Sequence, residues 1–258
     1  MNRIGRRTFV LTLPGFALAQ NPSAAGSARQ IMEEVQSRQK ADSQHYEGTL
    51  EVIGGGNRIA TKRWIFDRLG SSGNSKAMLR FTVPAEVKGV ALLIVNHPDR
   101  ASDQWMWRPA IGREQRIALQ DRSTRFFGTD FSFEDLEERD VGQYDYKMMG
   151  DDKIDGAACW HIESKPKQGK SSQYTSSQVW IRKDNYVPVQ YENYAKDTVV
   201  RRLKETEIEN LQGIWTARTL EMTDLRRNSR TILKLENVRY NVPMKDDDFT
   251  VQALRRQM

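Results

Sequence analysis

The sequence predicts a mainly β protein of the α+β class: an antiparallel sheet coiled toward a barrel, preceded by one short helix. Three observations predict it. Runs of alternating apolar and polar residues recur along nearly the whole chain, with the period of a half-buried strand. No helical stretch separates one run from the next, which excludes a parallel sheet whose crossovers carry helices. Between the first two runs, Gly54-Gly55-Gly56-Asn57 is a strong hairpin signal.

The chain opens on a segment read as an export signal. Arg3, Arg6 and Arg7 form a basic start, Thr8 to Ala19 is apolar, and Ala17-Leu18-Ala19 places small residues at signal-peptidase spacing. This signal peptide covers 1–19 and is shorter than the roughly 20 apolar residues that span a bilayer. Arg6-Arg7-Thr8-Phe9-Val10 also resembles a twin-arginine signal. The exported protein is therefore expected in the periplasm. Residues 20–27 are rich in Ala, Ser, Gly and Pro and read as a disordered leader. The rest, 28–258, forms one domain.

Within that domain, Ile31, Met32 and Val35 make one face of a short helix over 28–40, with Ser27 as its N-cap. Strands follow. His45 to Ile53 places Tyr46, Gly48, Leu50 and Val52 on one face, and Arg58 to Asp67 places Trp64 and Phe66 on one face. Further strands are expected over 76–83, 89–96, 103–108, 144–149, 158–165, 176–182, 187–195, 199–208, 215–224 and 230–238. Alternation stops at Gly128 to Leu136. There Ser132 followed by Asp135 resembles a capping box, predicting a short helix or ordered loop that crosses the sheet.

Composition narrows the function. The formal net charge of +6 falls to +3 once the three signal arginines are removed, and 29% of residues are charged. That balance is compatible with a weak peripheral contact to anionic membrane, but no dense basic block with interleaved aromatics suits nucleic acid. The single cysteine, Cys159, cannot form an internal disulfide. It lies in the apolar run Ala157-Ala158-Cys159-Trp160, which predicts a buried, inert thiol. His45, His97 and His161 fit no metal-ligand motif, and Asp246-Asp247-Asp248 lacks the glycine of a calcium loop. The sequence contains no nucleophile elbow, P-loop or dinucleotide fingerprint. The expectation is a protein with no cofactor, no metal and no catalysis.

Several stretches, read in order, resemble the outer-membrane lipoprotein-sorting protein family, whose members share the LolA-like fold. Phe126-Phe127-Gly128-Thr129-Asp130-Phe131-Ser132-Phe133-Glu134-Asp135-Leu136 is close to the family's GTDFSYEDL pattern, with Phe133 where the family usually has tyrosine. Phe81-Thr82-Val83-Pro84 with Lys88 to Leu93, Trp105 to Ala110 with Arg116-Ile117, and Trp180-Ile181 with Tyr186-Val187-Pro188 resemble further stretches of the family in the same order. The resemblance implies an unclosed antiparallel barrel around a helical plug or lid, with a hydrophobic cavity. It also implies a periplasmic carrier or sensor of lipids or acylated proteins, beside an RND-type or ABC-type exporter.

A ligand of this kind has a physical signature. An acyl chain gains about 0.8 kcal/mol per buried methylene, on the order of 10 kcal/mol for a fatty chain, so its carrier must offer a dry concave surface. The expected lining is Trp64, Phe66, Leu92, Ile94, Trp105, Trp107, Phe126, Phe127, Phe131 and Phe133. Asp130, Glu134 and Asp135 are read as structural, Asp135 as a helix cap and Glu134 as a solvated face. The leading expectation is a carrier that opens its lid over 126–136 to release cargo. The alternative is a lipid-sensing regulatory interaction protein of the same fold.

Overall fold

The computed structural model describes residues 24–54 and 59–256. The signal peptide, residues 20–23 of the leader and most of the Gly54–Asn57 turn lie outside the described residues. One helix, α1 (Ala24–Arg38), begins inside the segment read as leader, so Ser27 is not its cap. The Ala24-Ala25 pair, of the highest helix propensity, carries the helix back past the expected start.

The strands are β1 (Ser43–Ile53), β2 (Ile59–Ser71), β3 (Asn74–Val83), β4 (Ala91–Val95), β5 (Asp103–Arg108), β6 (Arg113–Arg116), β7 (Tyr144–Ile154), β8 (Ala157–Pro166), β9 (Ser176–Arg182), β10 (Pro188–Ala195), β11 (Thr198–Leu211), β12 (Ile214–Asp224) and β13 (Ser229–Tyr240). Every predicted strand is present. β6 is the addition: Arg113-Glu114-Gln115-Arg116 has no apolar alternation to announce it, and its charges suit an exposed edge. β7 also runs beyond the predicted Met149, through a bulge at Gly150 and a charged outer stretch.

All strands join one 13-stranded sheet ordered β6-β5-β4-β3-β2-β1-β13-β12-β11-β10-β9-β8-β7. It is two meanders, β1–β6 and β7–β13, joined where β1 pairs antiparallel with β13. β6 and β7 stay at opposite edges, which makes the barrel unclosed. Residues 117–143 connect the halves, first along the surface and then with Phe126 and Thr129 to Phe133 buried in the interior. The predicted crossing helix is a single 3-10 turn, Glu134–Leu136. Phe131 and Phe133, two residues apart and both buried, need an extended backbone to point the same way.

The interior of the first meander is solid. Tyr46, Leu50, Trp64, Leu79, Phe81, Leu92, Ile94 and Met106 close around Phe126, Phe131 and Phe133 from the crossing segment. Phe81 stacks on Phe126 at 5.5 Å, and Phe133 meets Phe126 edge-on at 5.5 Å. Gly48, the cross-strand partner of Trp64, is required here: a Cβ at Gly48 would lie 1.9 Å from Trp64 Nε1. The outer face of β3–β5 is covered too. Met78, Ala91 and Leu93 pack under the C-terminal residues Phe249, Ala253 and Leu254, and buried Arg80 donates to the carbonyls of Leu254 (2.9 Å) and Ala253 (3.1 Å).

In the second meander α1 lies on the inner face. Ala28 and Val35 meet Ile162, Val179 and Ile181, with Ile31 and Met32 at the margin. Cys159 faces the opposite side with Trp180 and Val189, fully buried, and burial pushes its thiol pKa up.

Candidate functional site

A cavity of about 410 Å³ lies between α1, residues 131–141 and the inner face of the sheet. That volume falls in the range of small-molecule sites, about 300–1,000 Å³. Each wall follows from local sequence. Met32 and Val35 stand three apart on the inward stripe of α1. Tyr144, Tyr146, Val179, Tyr191, Leu203, Glu205, Leu220, Met222, Leu233 and Leu235 are inward positions of β7 and β9–β13. Phe66 and Tyr46, stacked at 4.7 Å, close the side toward the first meander.

The remaining wall is the crossing segment, and it is bolted in place. Asp130 is fully buried and accepts from Arg125 (2.7 Å), Ser229 (2.5 Å) and Thr231 (2.8 Å). Asp135 accepts from Arg201 Nη1 (2.7 Å), Tyr174 Oη (2.8 Å) and Ser132 Oγ (2.6 Å), while its amide donates back to Ser132 Oγ (3.3 Å). Arg201 is itself buried, with a second carboxylate, Asp224, at 3.9 Å. Glu137 meets Arg122 (2.8 Å) and Gln104 (2.8 Å). Glu138 accepts from Arg68, Ser72, Gly73 and Ser75. The reciprocal Ser132–Asp135 cap predicted from sequence is present. Glu134 corrects the expectation of a solvated face: it binds Ser172 Oγ and the Gln173 amide (2.9 Å). Residues 126–136 thus form an anchored plug, not a loose lid, because buried carboxylates lose their counter-charges if it lifts.

The polar lining of the cavity is uneven. Arg139 lies over the rings of Tyr191 (5.1 Å) and Tyr144 (5.8 Å) and donates to Asn193 (3.2 Å). Lys170 donates to Gln143 (2.7 Å). Among the described residues, Glu205 forms no hydrogen bond and no ion pair, and burial pushes its pKa up to about 8. The hydroxyls of Tyr46, Tyr144, Tyr146 and Tyr191 likewise have no protein partner among the described residues while lining the same space. The described residues also contain no grouping of His, Cys, Asp and Glu able to hold a metal, and no helix long and apolar enough to cross a membrane.

Of the expected lining residues, Phe66 and Phe131 face the cavity. Trp64, Leu92, Ile94, Phe126 and Phe133 are buried together in the solid core of the first meander, with Phe127 packed against them. Trp105 and Trp107 depart furthest. They share a face as predicted, but it is the outer one, where they pack beside the C-terminal tail; Met106 points inward instead. The wall residues missed were those of the second meander, above all Tyr191 and Glu205. One signal was available: charged Arg201 and Glu205 occupy the inward register of β11, in line with Leu203, where a filled core would carry apolar side chains.

Solved structures share this architecture. An outer membrane lipoprotein-sorting protein domain from Vibrio parahaemolyticus is 26% identical, with a TM-score of 0.85 over 90% of this chain and 100% of that one. A DUF1329 family protein from Desulfovibrio piger is 27% identical, with a TM-score of 0.86 over 90% and 99%. A LolA superfamily protein from Nitrosomonas europaea, 20% identical with a TM-score of 0.69 over 88% and 97%, shares the fold. No curated protein matches this chain. A family model described as that of an uncharacterized protein matches residues 73–256. The chain belongs to that family, and its architecture is that of the outer membrane lipoprotein-sorting proteins and the LolA superfamily.

Proposed function

We propose that this protein is an exported, periplasmic carrier that binds a lipid, or the acyl chains of a lipoprotein, without chemical conversion. The observation that carries the reading is the cavity beneath α1, about 410 Å³ and walled by Leu203, Leu220, Met222, Leu233 and Leu235, in a fold shared with a lipoprotein-sorting domain. Apolar side chains that line open space leave the contacts of a packed core unmade, and a hydrocarbon ligand supplies them. An inner-membrane transporter of RND or ABC type would deliver the cargo.

The plug is the fixed wall and α1 the moving one. α1 is held by a narrow apolar stripe, by Gln36 accepting from the Val141 amide (2.8 Å), and by Arg38 over the Tyr186 ring (4.2 Å). Among the described residues, lifting it breaks no buried ion pair, so access over α1 costs less than extraction of the plug.

The test is native mass spectrometry of the protein purified from its own periplasm, followed by organic extraction. The expected result is a bound lipid that is lost in Leu220→Trp, which fills the cavity while the thermal midpoint is kept. A protein that arrives empty, and stays empty when offered lipid or acylated peptide, overturns the reading. Copurification with a transporter from crosslinked cells checks the partner.

A further inference from the structure

The cavity is apolar over much of its wall, and among its charged side chains Glu205 has neither a hydrogen bond nor an ion pair within the described residues. Glu205 lies on β11 two residues beyond Leu203, which pairs directly with Tyr191 on β10. Glu205 and Tyr191 are therefore diagonal neighbours on the inner face, within reach of one shared ligand group. Leu220 sits directly opposite Glu205 on β12, and Leu233 directly opposite Leu220 on β13. The carboxyl thus stands at the end of a row of leucines.

The cations of the cavity do not answer it. Arg139 is committed to the tyrosine rings and Asn193, Lys170 to Gln143, and Arg68 to Glu138. Buried carboxylates elsewhere in the molecule are matched: Asp130 by Arg125, Asp135 by Arg201, Glu137 by Arg122. Glu205 is half-buried beside leucines, and a carboxyl with no counter-charge is costly to ionise there. Arg139 already covers the Tyr191 ring (5.1 Å), so the unanswered groups at this end of the leucine row are the Glu205 carboxyl and the Tyr191 hydroxyl, two oxygen acceptors that suit the N–H donors of an alkylammonium group.

We propose that Glu205 and the Tyr191 hydroxyl form a subsite for the ammonium head of an amphiphile whose hydrocarbon lies along Leu203, Leu220 and Leu233. This inference rests on the cavity being a lipid site, and it names the headgroup chemistry that site selects. Ion pairing also has a proton consequence. Burial raises the Glu205 carboxyl well above the ordinary carboxylate range, and an ammonium head favours its ionised form, so binding near neutral pH releases protons.

The experiment is titration calorimetry of the mature protein with decylamine, decanol and decanoate, each below its aggregation concentration, in buffers of different ionisation enthalpy. Decylamine should bind about tenfold tighter than decanol and decanoate, with proton release. Glu205→Gln should bring decylamine to the level of decanol and abolish proton release. Equal affinity for decylamine and decanol, or an amine preference that survives in Glu205→Gln, overturns the subsite. If decanol binds without any amine preference, the subsite fails and the carrier reading stands. If none of the probes binds, both fail together.

Discussion

The two meanders of this sheet both carry alternating apolar side chains and use them differently. Around β3, β4 and β5 both faces are covered, the inner one by Phe126, Phe131 and Phe133 and the outer one by Phe249, Ala253 and Leu254. Around β10, β11 and β12 the inner face carries Tyr191, Leu203, Glu205 and Leu220 against open space, with α1 as a partial cover. The same strand alternation thus builds a close-packed core in one place and a cavity in the other. What differs is the covering segment. The plug inserts Phe126 and Phe133 into the first meander, whereas Phe131 and the short segment 134–139, polar apart from Leu136, border the hollow. A hollow survives when no inserted side chain matches its volume.

The strongest way to break the comparison is to cut the bond between the plug and the second meander. Arg201→Met strands the buried carboxylates Asp135 and Asp224. It should lower the unfolding free energy by about 3–5 kcal/mol in urea titration. A loss under about 1 kcal/mol would mean that the plug is held by its aromatic side chains alone.

Next in size is the contrast between cores. Phe126→Ala, in the filled half, should cost about 3–5 kcal/mol, whereas Leu220→Ala, already facing open space, should cost about 1 kcal/mol. Equal losses would erase the distinction between a solid and a hollow meander.

The smallest effect, and the sharpest in location, is the pH dependence of stability set by Glu205. In the unfolded chain the carboxyl titrates near 4.5, and in the fold at about 8. Between these values the unfolded state has lost the proton that the folded state keeps, so the contribution of Glu205 to stability declines as pH rises from 4.5 to about 8 and is level above. Glu205→Gln removes that slope. The stability of the variant relative to the parent should therefore increase from pH 5 to pH 8.5 in parallel urea titrations. A difference that is flat with pH would place the carboxyl in contact with bulk water.

Much of this was legible in the residues. Period-two alternation located every strand except β6, whose four polar residues have no face to bury. The Ser132–Asp135 pair announced the tight turn that does form, and Cys159 was read correctly as buried. The site was less legible. Alternation tells which residues share a face, but not which face is inside: Trp105 and Trp107 were paired correctly and assigned to the wrong side. Near β3–β5 both faces are apolar because the C-terminal tail returns to cover the outer one, so hydrophobicity there carries no sign of direction.

The sequence by itself determined the strand pattern, the antiparallel meander, the family resemblance and the position of the segment that breaks the alternation. All of these are local, encoded in spacing and turn chemistry over a few residues. Only the tertiary structure decided which meander is filled and which is hollow, that 126–136 is a bolted plug, and that Glu205 stands beside leucines with no partner among the described residues. Those outcomes depend on contacts between residues tens to a hundred positions apart, such as Asp130 with Thr231 and Asp135 with Arg201. A charged residue in a strand reads the same whether water, a counter-ion or a cavity faces it; folding decides which of the three it meets.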